Sequence, residues 1–332
     1  MTSRRRIEVV VRAVALAFVT TMAVACGRDP APAATPLSGT IRISGSPADA
    51  SLLAALEDGF RKQHPRVSFV HALHGPEATL AGVYTGTADL ALMARELREP
   101  LERMAFEWAM LDKPLPVDIA LAGIATARRT AQLGVFVHKD NPLRQLSLRQ
   151  LDAIYGAEHR RGGPLARNWG ALGLRGTWAE RPIHVHGPPV SSIEALYLRR
   201  AVLHDSRKWN PGYRQAEAEG APVIARLEQD PDGIAFAPLR DATAGVRALA
   251  LGNGDEGPFH SADDASVRSG AYPLVRSITV IPAHTHERPM PHAVRAFIAY
   301  LLSDEGQAVI AAEGGYLPLG PVALHAQRER LP

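Results

Sequence analysis

The chain has 332 residues, 46% of them hydrophobic and 21% charged, the make-up of a globular protein long enough for two lobes. A sequence pI of about 9.2 would suit a nucleic-acid partner, but the excess charge is local. Of 37 basic and 34 acidic side chains, Arg4, Arg5, Arg6 and Arg12 stand against Glu8 in the first 25 residues, which leaves 33 of each beyond them. A balanced chain has no general pull on DNA or on an acidic membrane, so a nucleic-acid role is excluded. With a single cysteine there is no internal disulfide, and the fold must stand on its core alone.

Residues 1–25 read as an export signal: an arginine-rich start, the apolar run Ala13–Ala25, and a close in small residues. That run of thirteen is well below the roughly 20 residues that span a bilayer as a helix. Cys26 directly follows Ala23-Val24-Ala25, which resembles the bacterial lipobox, whose cysteine is lipid-modified and becomes the new N-terminus. Ser3-Arg4-Arg5 leaves a twin-arginine export route open. Gly27–Ser38 is rich in Pro and Ala without apolar periodicity, so residues 26–38 are expected to form a flexible, lipid-anchored linker.

A first strand is expected at Thr40–Ser44, with Ile41 and Ile43 on one face. Gly45-Ser46-Pro47 breaks it and opens a helix, with Ser46 as N-cap, Pro47 at the favoured first position and Asp49 in the first turn. Leu52, Leu53, Leu56 and Phe60 recur at helical spacing as its buried face. A strand at Val67–Leu73, a turn at His74-Gly75-Pro76, a short helix through Leu80 and Val83, and a strand at Ala88–Met93 follow. This alternation predicts parallel-sheet α/β units. Further along, Leu133, Val135 and Val137 mark a strand, Leu148–Tyr155 an amphipathic helix, Trp169–Trp178 a glycine-rich loop and Gly233–Pro238 an apolar strand. Ser303 caps a helix whose Val309 and Ile310 pack inward and which Gly314-Gly315 ends.

The stretch Arg181–Leu203 repeats the strand-to-helix pattern. Ile183 and Val185 alternate with His184 and His186, Gly187-Pro188-Pro189 stops the strand, and Ser191-Ser192-Ile193-Glu194 has the form of a capping box. Such a junction aims free backbone N–H groups and a helix dipole at one point, which favours an anion.

Several segments resemble phosphate-type periplasmic solute-binding proteins, the receptors of ABC phosphate importers. They are ISGSPADASLLAALEDGFRKQHPRV, GVYTGTADLALMARELREP, VFVHKDNPLRQLSLRQLDAIYG, DPDGIAFAPL, YPLVRSITVI and FIAYLLSDEGQAVIAAEGGYLPLG, in order over about residues 39–320. The last is the most specific, joining a Ser-x-Glu-Gly-Gln helix start to a Gly-Tyr-x-Pro-Leu close. The resemblance implies a two-lobed α/β type II periplasmic-binding-protein fold with a hinge and two interlobe crossings. Lobe one would be 39–126 with 271–325, lobe two 127–270, and the crossings would lie near Ala122–Ala131 and Ser269–Pro273.

The same resemblance implies that helix N-termini, hydroxyls, an arginine and often a carboxylate wrap the ligand. The Thr of the first Gly-Ser-Thr junction is Pro47 here, and the first Ser of the second glycine-rich turn is Pro76. The selecting acid or Ser falls at Ala94, followed by a matching Arg95. The Arg-x-x-x-Ser-Gly-Thr signature falls on Gly187 and Ser191-Ser192-Ile193, without its arginine and threonine. The expected ligand-binding residues are therefore Ser46, Ala48, Thr79, Arg95, His186, Ser191 and Ser192, with His74 as a further substitute and Cys26 as lipid anchor.

His184-x-His186 and His284-x-His286 each put two imidazoles on one strand face, a spacing that suits a metal, yet thirteen histidines among only four lysines fit composition as well. No metal or cofactor is expected. Ser191 or Ser192 beside His186 lacks an orienting acid and a Gly-x-Ser-x-Gly elbow, so no catalysis is expected. These features together predict a monomeric, lipid-anchored, periplasmic or envelope receptor that holds a small oxyanion between two lobes and delivers it to an inner-membrane ABC permease. The alternatives are a receptor-derived envelope sensor or accessory protein without transport, and a phosphatase-like hydrolase on the same scaffold.

Overall fold

Ile41 and Ile43, fully buried, fix the inner face of β1 (Ser38–Ser44). The computed structural model describes residues 36–332 apart from 125, 127–128 and 219–221. The expected signal, Cys26 and nearly all of the linker lie outside the described residues. β1 sits inside a five-stranded sheet with β2 (Arg66–Ala72), β3 (Leu90–Met93), β4 (Val117–Leu121) and β12 (Ser277–Pro282), in the order β2-β1-β3-β12-β4. A second sheet has the order β10-β5-β9-β7-β8. It is made of β5 (Leu133–His138), β7 (His184–Gly187), β8 (Arg214–Gln215), β9 (Gly233–Pro238) and β10 (Val246–Ala248). β6 (Gln145–Ser147) and β11 (Ala250–Gly252) form a small parallel pair.

The chain leaves the first sheet after Leu121 and re-enters it at Ser277. The parallel expectation holds for β1 with β2 and β3, and for β7 with β8 and β9. It fails for β5 and β12, the strands that follow each passage. β5 is antiparallel to β9, and β12 is antiparallel to β3 and β4. These strands arrive from the other sheet rather than through a crossover helix, so nothing forces a parallel neighbour.

Helices cover both sheets. In α1 (Ala50–Gln63), Leu52, Leu53, Leu56 and Phe60 are buried, and Phe60 meets Phe297 of α8 (His292–Leu301) edge-on at 5.2 Å. Between them in sequence lie α2 (Thr79–Tyr84), α3 (Leu101–Met110), α4 (Leu148–Tyr155), α5 (Ile193–Ala201), α6 (Val223–Leu227) and α7 (Asp264–Ser269). α9 (Asp304–Glu313) and α10 (Pro321–Glu329) close the chain. Ser147 and Gln150 form a complete capping box on α4, and Ser303 caps α9. Gly314 ends α9 with φ 77°, a left-handed turn that suits a residue without Cβ. The Trp169–Trp178 loop contains two 3₁₀ turns and is anchored by a fully buried Trp169. One connected apolar cluster runs from Ile41 and Phe60 to Val135 and Phe236, so both sheets share a core. Among the described residues no helix is long and apolar enough to cross a membrane.

Candidate functional site

The β1–α1 junction is built as its sequence predicts. Ser46 accepts a hydrogen bond from the Ala48 N–H at 3.3 Å and caps a 3₁₀ turn, Pro47–Asp49, that runs into α1. The cap turns Asp49 inward, where it is 1% exposed. Its Oδ1 accepts from the Tyr316 hydroxyl at 2.6 Å, while Oδ2 is buried with no partner. Burial pushes this carboxyl up, against the Tyr316 hydrogen bond and the Arg129 charge.

Asp49 lines a cavity of about 230 Å³ that draws on both sheets. The loops after β1 and β3 contribute Ser46, Ala48, Ala94 and Arg95. The segment between the sheets contributes Arg129 and Thr130, and α5 contributes Ile193 and Glu194. Arg240 follows β9, and Arg276 and Tyr316 complete the wall. Arg95 is 6% exposed. Its terminal nitrogens grip Glu102 at 2.6 and 2.9 Å and the Pro76 and Glu96 carbonyls, yet its Nε–H is buried without a partner. Two residues of a single cavity's lining thus each keep one buried polar atom without a partner, which costs free energy as long as it stays unpaired.

The other guanidinium groups are largely satisfied within the protein. Arg129 makes a two-pronged pair with Glu313 at 2.6 Å, and Arg276 a similar pair with Glu96 at 2.7 Å. Burial disfavours the Arg276 charge, but the Glu96 carboxylate outweighs it and holds the group firmly protonated. Arg129 lies so close to Gly315 that a Cβ there would force the guanidinium to shift from its place beside Glu313. Arg240 donates to the Arg129 carbonyl, and Thr130 spends its hydroxyl on the Ala94 carbonyl.

Of the residues expected to bind ligand, Ser46, Ala48 and Arg95 line this cavity; Thr79, His186, Ser191 and Ser192 do not. Thr79 is 2% exposed and donates to the Gly75 carbonyl, locking the turn before α2. Ser192, not Ser191, is the N-cap of α5: its Oγ accepts from the Ala195 N–H at 3.1 Å, so the expected capping box is not formed. Ser191 is exposed, and its carbonyl accepts from Arg98 at 2.8 Å. That contact and the Arg200–Glu99 pair at 3.4 Å join the β3–α3 segment to the start and body of α5.

His186 faces a different group. Its Nε2 meets Asp230 Oδ2 at 2.9 Å, and His184 Nδ1 meets the same oxygen at 2.8 Å. Burial lowers His186, with Asp230 opposing. Burial would raise Asp230, but the hydrogen bonds from His186 and His184 outweigh it and keep the carboxyl below its usual range. No hydrogen bond joins Ser191 or Ser192 to this histidine among the described residues. Nor does any group of three or more His, Cys, Asp or Glu side chains stand ready to hold a metal there. His286 is 95% exposed and bonds Asp112 at 2.6 Å, its backbone and ring together lowering that carboxyl to about 2.

Asp49, Arg129, Glu194, Arg240, Arg276 and Tyr316 were not among the expected binding residues. Four of them carried a signal: Asp49 as the acid in a capped first turn, Glu194 in the Ser191-Ser192-Ile193-Glu194 pattern, Arg276 inside YPLVRSITVI and Tyr316 inside the Gly-Tyr-x-Pro-Leu close.

Two sheets around a cavity fed by two helix starts define a periplasmic-binding-protein architecture. The sequence matches the profile of the PBP superfamily domain over residues 30–305, and the chain belongs to that family. It is 28% identical over 288 residues to the phosphate-binding protein PstS of Pseudomonas aeruginosa, covering 86% of this chain and 85% of that protein. A shorter match, 31% over 123 residues, links it to phosphate-binding protein PstS 2 of Streptococcus pneumoniae, covering 37% of this chain and 36% of that protein. The fold is similar to an ABC-type phosphate transport receptor from Vibrio cholerae, with TM-score 0.54 and 19% identity, over 83% of this chain and 99% of that one. It is also similar to the tungstate-binding protein TupA of Desulfovibrio alaskensis, with TM-score 0.50 and 11% identity, over 85% of this chain and all of that one.

Proposed function

We propose that this chain is the extracytoplasmic solute-binding lipoprotein of an ABC-type uptake system for phosphate or a related oxyanion. Its ligand sits between a lobe of residues 39–126 with 271–325 and a lobe of residues 127–270, which close about the two passages. Cys26 carries the lipid, the protein is a monomer, and the ligand passes to an inner-membrane permease. The observation that carries the reading is that two residues lining one cavity, Asp49 and Arg95, each hold back one unpartnered polar atom, Oδ2 and Nε. A protonated oxyanion has a hydroxyl to give Asp49 and an oxygen to take the Arg95 proton, so it satisfies both at once. A hydrogen bond to a charged partner contributes about 1.5–3 kcal/mol, and the relatives named above bind phosphate or tungstate by name.

Calorimetry with inorganic phosphate on the purified protein tests this. Micromolar or tighter binding is expected, weakened at least tenfold in Asp49→Asn and Arg95→Gln and declining as pH rises and the shared proton is lost. Absence of phosphate binding favours the second reading, an envelope sensor without phosphate transport, for which the internal pairing of Arg129 and Arg276 speaks. Turnover of a phosphomonoester would favour a hydrolase instead.

A further inference from the structure

Helix α3 is apolar on two sides. Phe106, fully buried, and Met110 pack inward with Leu80, Val83 and Met93. On the outer side Leu101, Met104, Trp108 and Leu111 recur at spacings of three and four, a single stripe of the helix. Leu101, Trp108 and Leu111 are 74%, 77% and 90% exposed, and Met104 39%. Among the described residues seven large apolar side chains are exposed, and this stripe supplies four of them. Scattered single residues of that kind are ordinary, whereas a contiguous patch marks a contact surface. Leu111 ends the helix at φ 52°, a left-handed conformation that disfavours so bulky a side chain, and it holds that side chain in solvent. The charges beside the stripe are taken up locally. Arg103 pairs with Glu99 and Glu107 at 3.8 and 3.0 Å, and His286 holds Asp112 at 2.6 Å. The helix itself has Glu102 and Glu107 against Arg103, so no basic surplus draws it to acidic headgroups.

The topology fixes which way the stripe points. β1 and β3 are parallel, with Ile43 beside Leu90, and α3 returns after β3 toward the end of the sheet where both strands begin. β12 runs the other way, bringing Pro282 beside Leu90, and the loop that follows carries His286 to Asp112 just past α3. Trp108 and Leu111 therefore lie toward the end of the sheet at which Ser38 opens β1. The cleft residues Ser46 and Arg95 follow β1 and β3 at the opposite end.

From this we infer that the outer face of α3 rests on the lipid bilayer, with Trp108 and Leu111 in its interfacial layer. The inference rests on the lipid-anchor part of the proposed function. Residues 26–38 reach at most about 40 Å when extended, so a lipid on Cys26 keeps this end of the body beside the membrane. At that effective concentration a modest apolar contact suffices. With α3 on the bilayer the cleft faces away from the lipid and stays open to ligand.

The test uses the mature chain from residue 26, made as Cys26→Ser so that it carries no lipid, mixed with phosphatidylcholine vesicles and read by flotation. Binding is expected, little changed by salt. It should fall roughly tenfold in Trp108→Ser and in Leu111→Ser, but not in Val322→Ser, which alters a comparably exposed residue on α10. Vesicles should also move tryptophan emission to shorter wavelength, and that shift should vanish in Trp108→Phe. Absence of binding overturns the inference, as does binding that Val322→Ser weakens equally or that appears only with phosphatidylglycerol and is abolished by salt. A dimer that Trp108→Ser dissolves while vesicles leave the chain unbound overturns it in favour of a second copy. Absence of lipid on Cys26 of the native protein, read by mass spectrometry, overturns the anchor reading instead.

Discussion

The β1–α1 and β7–α5 junctions share a plan: a strand, a glycine–proline break, and a serine whose oxygen caps a free N–H of the first turn. In each the serine is consumed by its own helix, so neither hydroxyl is the feature offered to the cavity. What each junction offers is the acid that follows, Asp49 in one and Glu194 in the other. The two acids differ in company. Asp49 has Tyr316 on one oxygen and nothing on the other, whereas Glu194 stands 3.9 Å from Arg276. Like local chemistry thus yields an acid with one oxygen unpartnered at one junction and an ion-balanced acid at the other.

The largest expected effect comes from removing the cation behind the second junction. Arg276→Gln leaves the half-buried Glu96 without its partner, and a loss of about 3 kcal/mol in urea unfolding is expected. Next is Asp230→Ala, which deprives both strand histidines of their acceptor at a cost of about 2 kcal/mol near neutral pH. Because the folded Asp230 carboxyl is lowered, its contribution is present above the ordinary carboxylate range and is lost as pH falls through the folded value. The deficit of the variant should therefore narrow in acid.

Asp49→Asn has the opposite sign. The folded Asp49 carboxyl is raised, so the native protein buries a charge as pH climbs. The variant should be more stable by about 1 kcal/mol in mildly alkaline buffer, with the advantage vanishing as pH drops below the usual carboxylate range. A thermal-melt series across pH that showed no such trend would erase the contrast between the two acids. The smallest effects concern the caps themselves. Ser192→Ala should cost about 1 kcal/mol, since the Ala195 N–H it serves is buried, and Ser46→Ala about half as much, since its bond is longer and exposed. Equal losses would mean that the two termini are not energetically distinct.

Much of the scaffold could be read from periodicity. Ile41, Ile43, the Leu52–Phe60 face, Leu148–Tyr155 and Gly233–Pro238 lie where apolar spacing puts them, because burial alone decides those positions. The cavity was less legible. Ser46, Ala48 and Arg95 came from motif positions, but Arg129 and Arg240 arrive from segments far apart in sequence, and no local pattern announces them. The seryl pair at 191–192 shows the limit in miniature. Either residue could cap the helix, and it is Ser192 whose oxygen takes the Ala195 N–H. Likewise His186 satisfies the spacing for a ligand, yet Asp230, more than forty residues on, claims it.

The two-pronged pairing of Arg129 and Arg276 with Glu313 and Glu96 has a kinetic corollary. Positive charge already cancelled at home projects little field into the surrounding solvent, so an incoming anion is not drawn in from afar. Capture then depends on diffusion and fit at short range, and the on-rate should hardly change between dilute and concentrated salt.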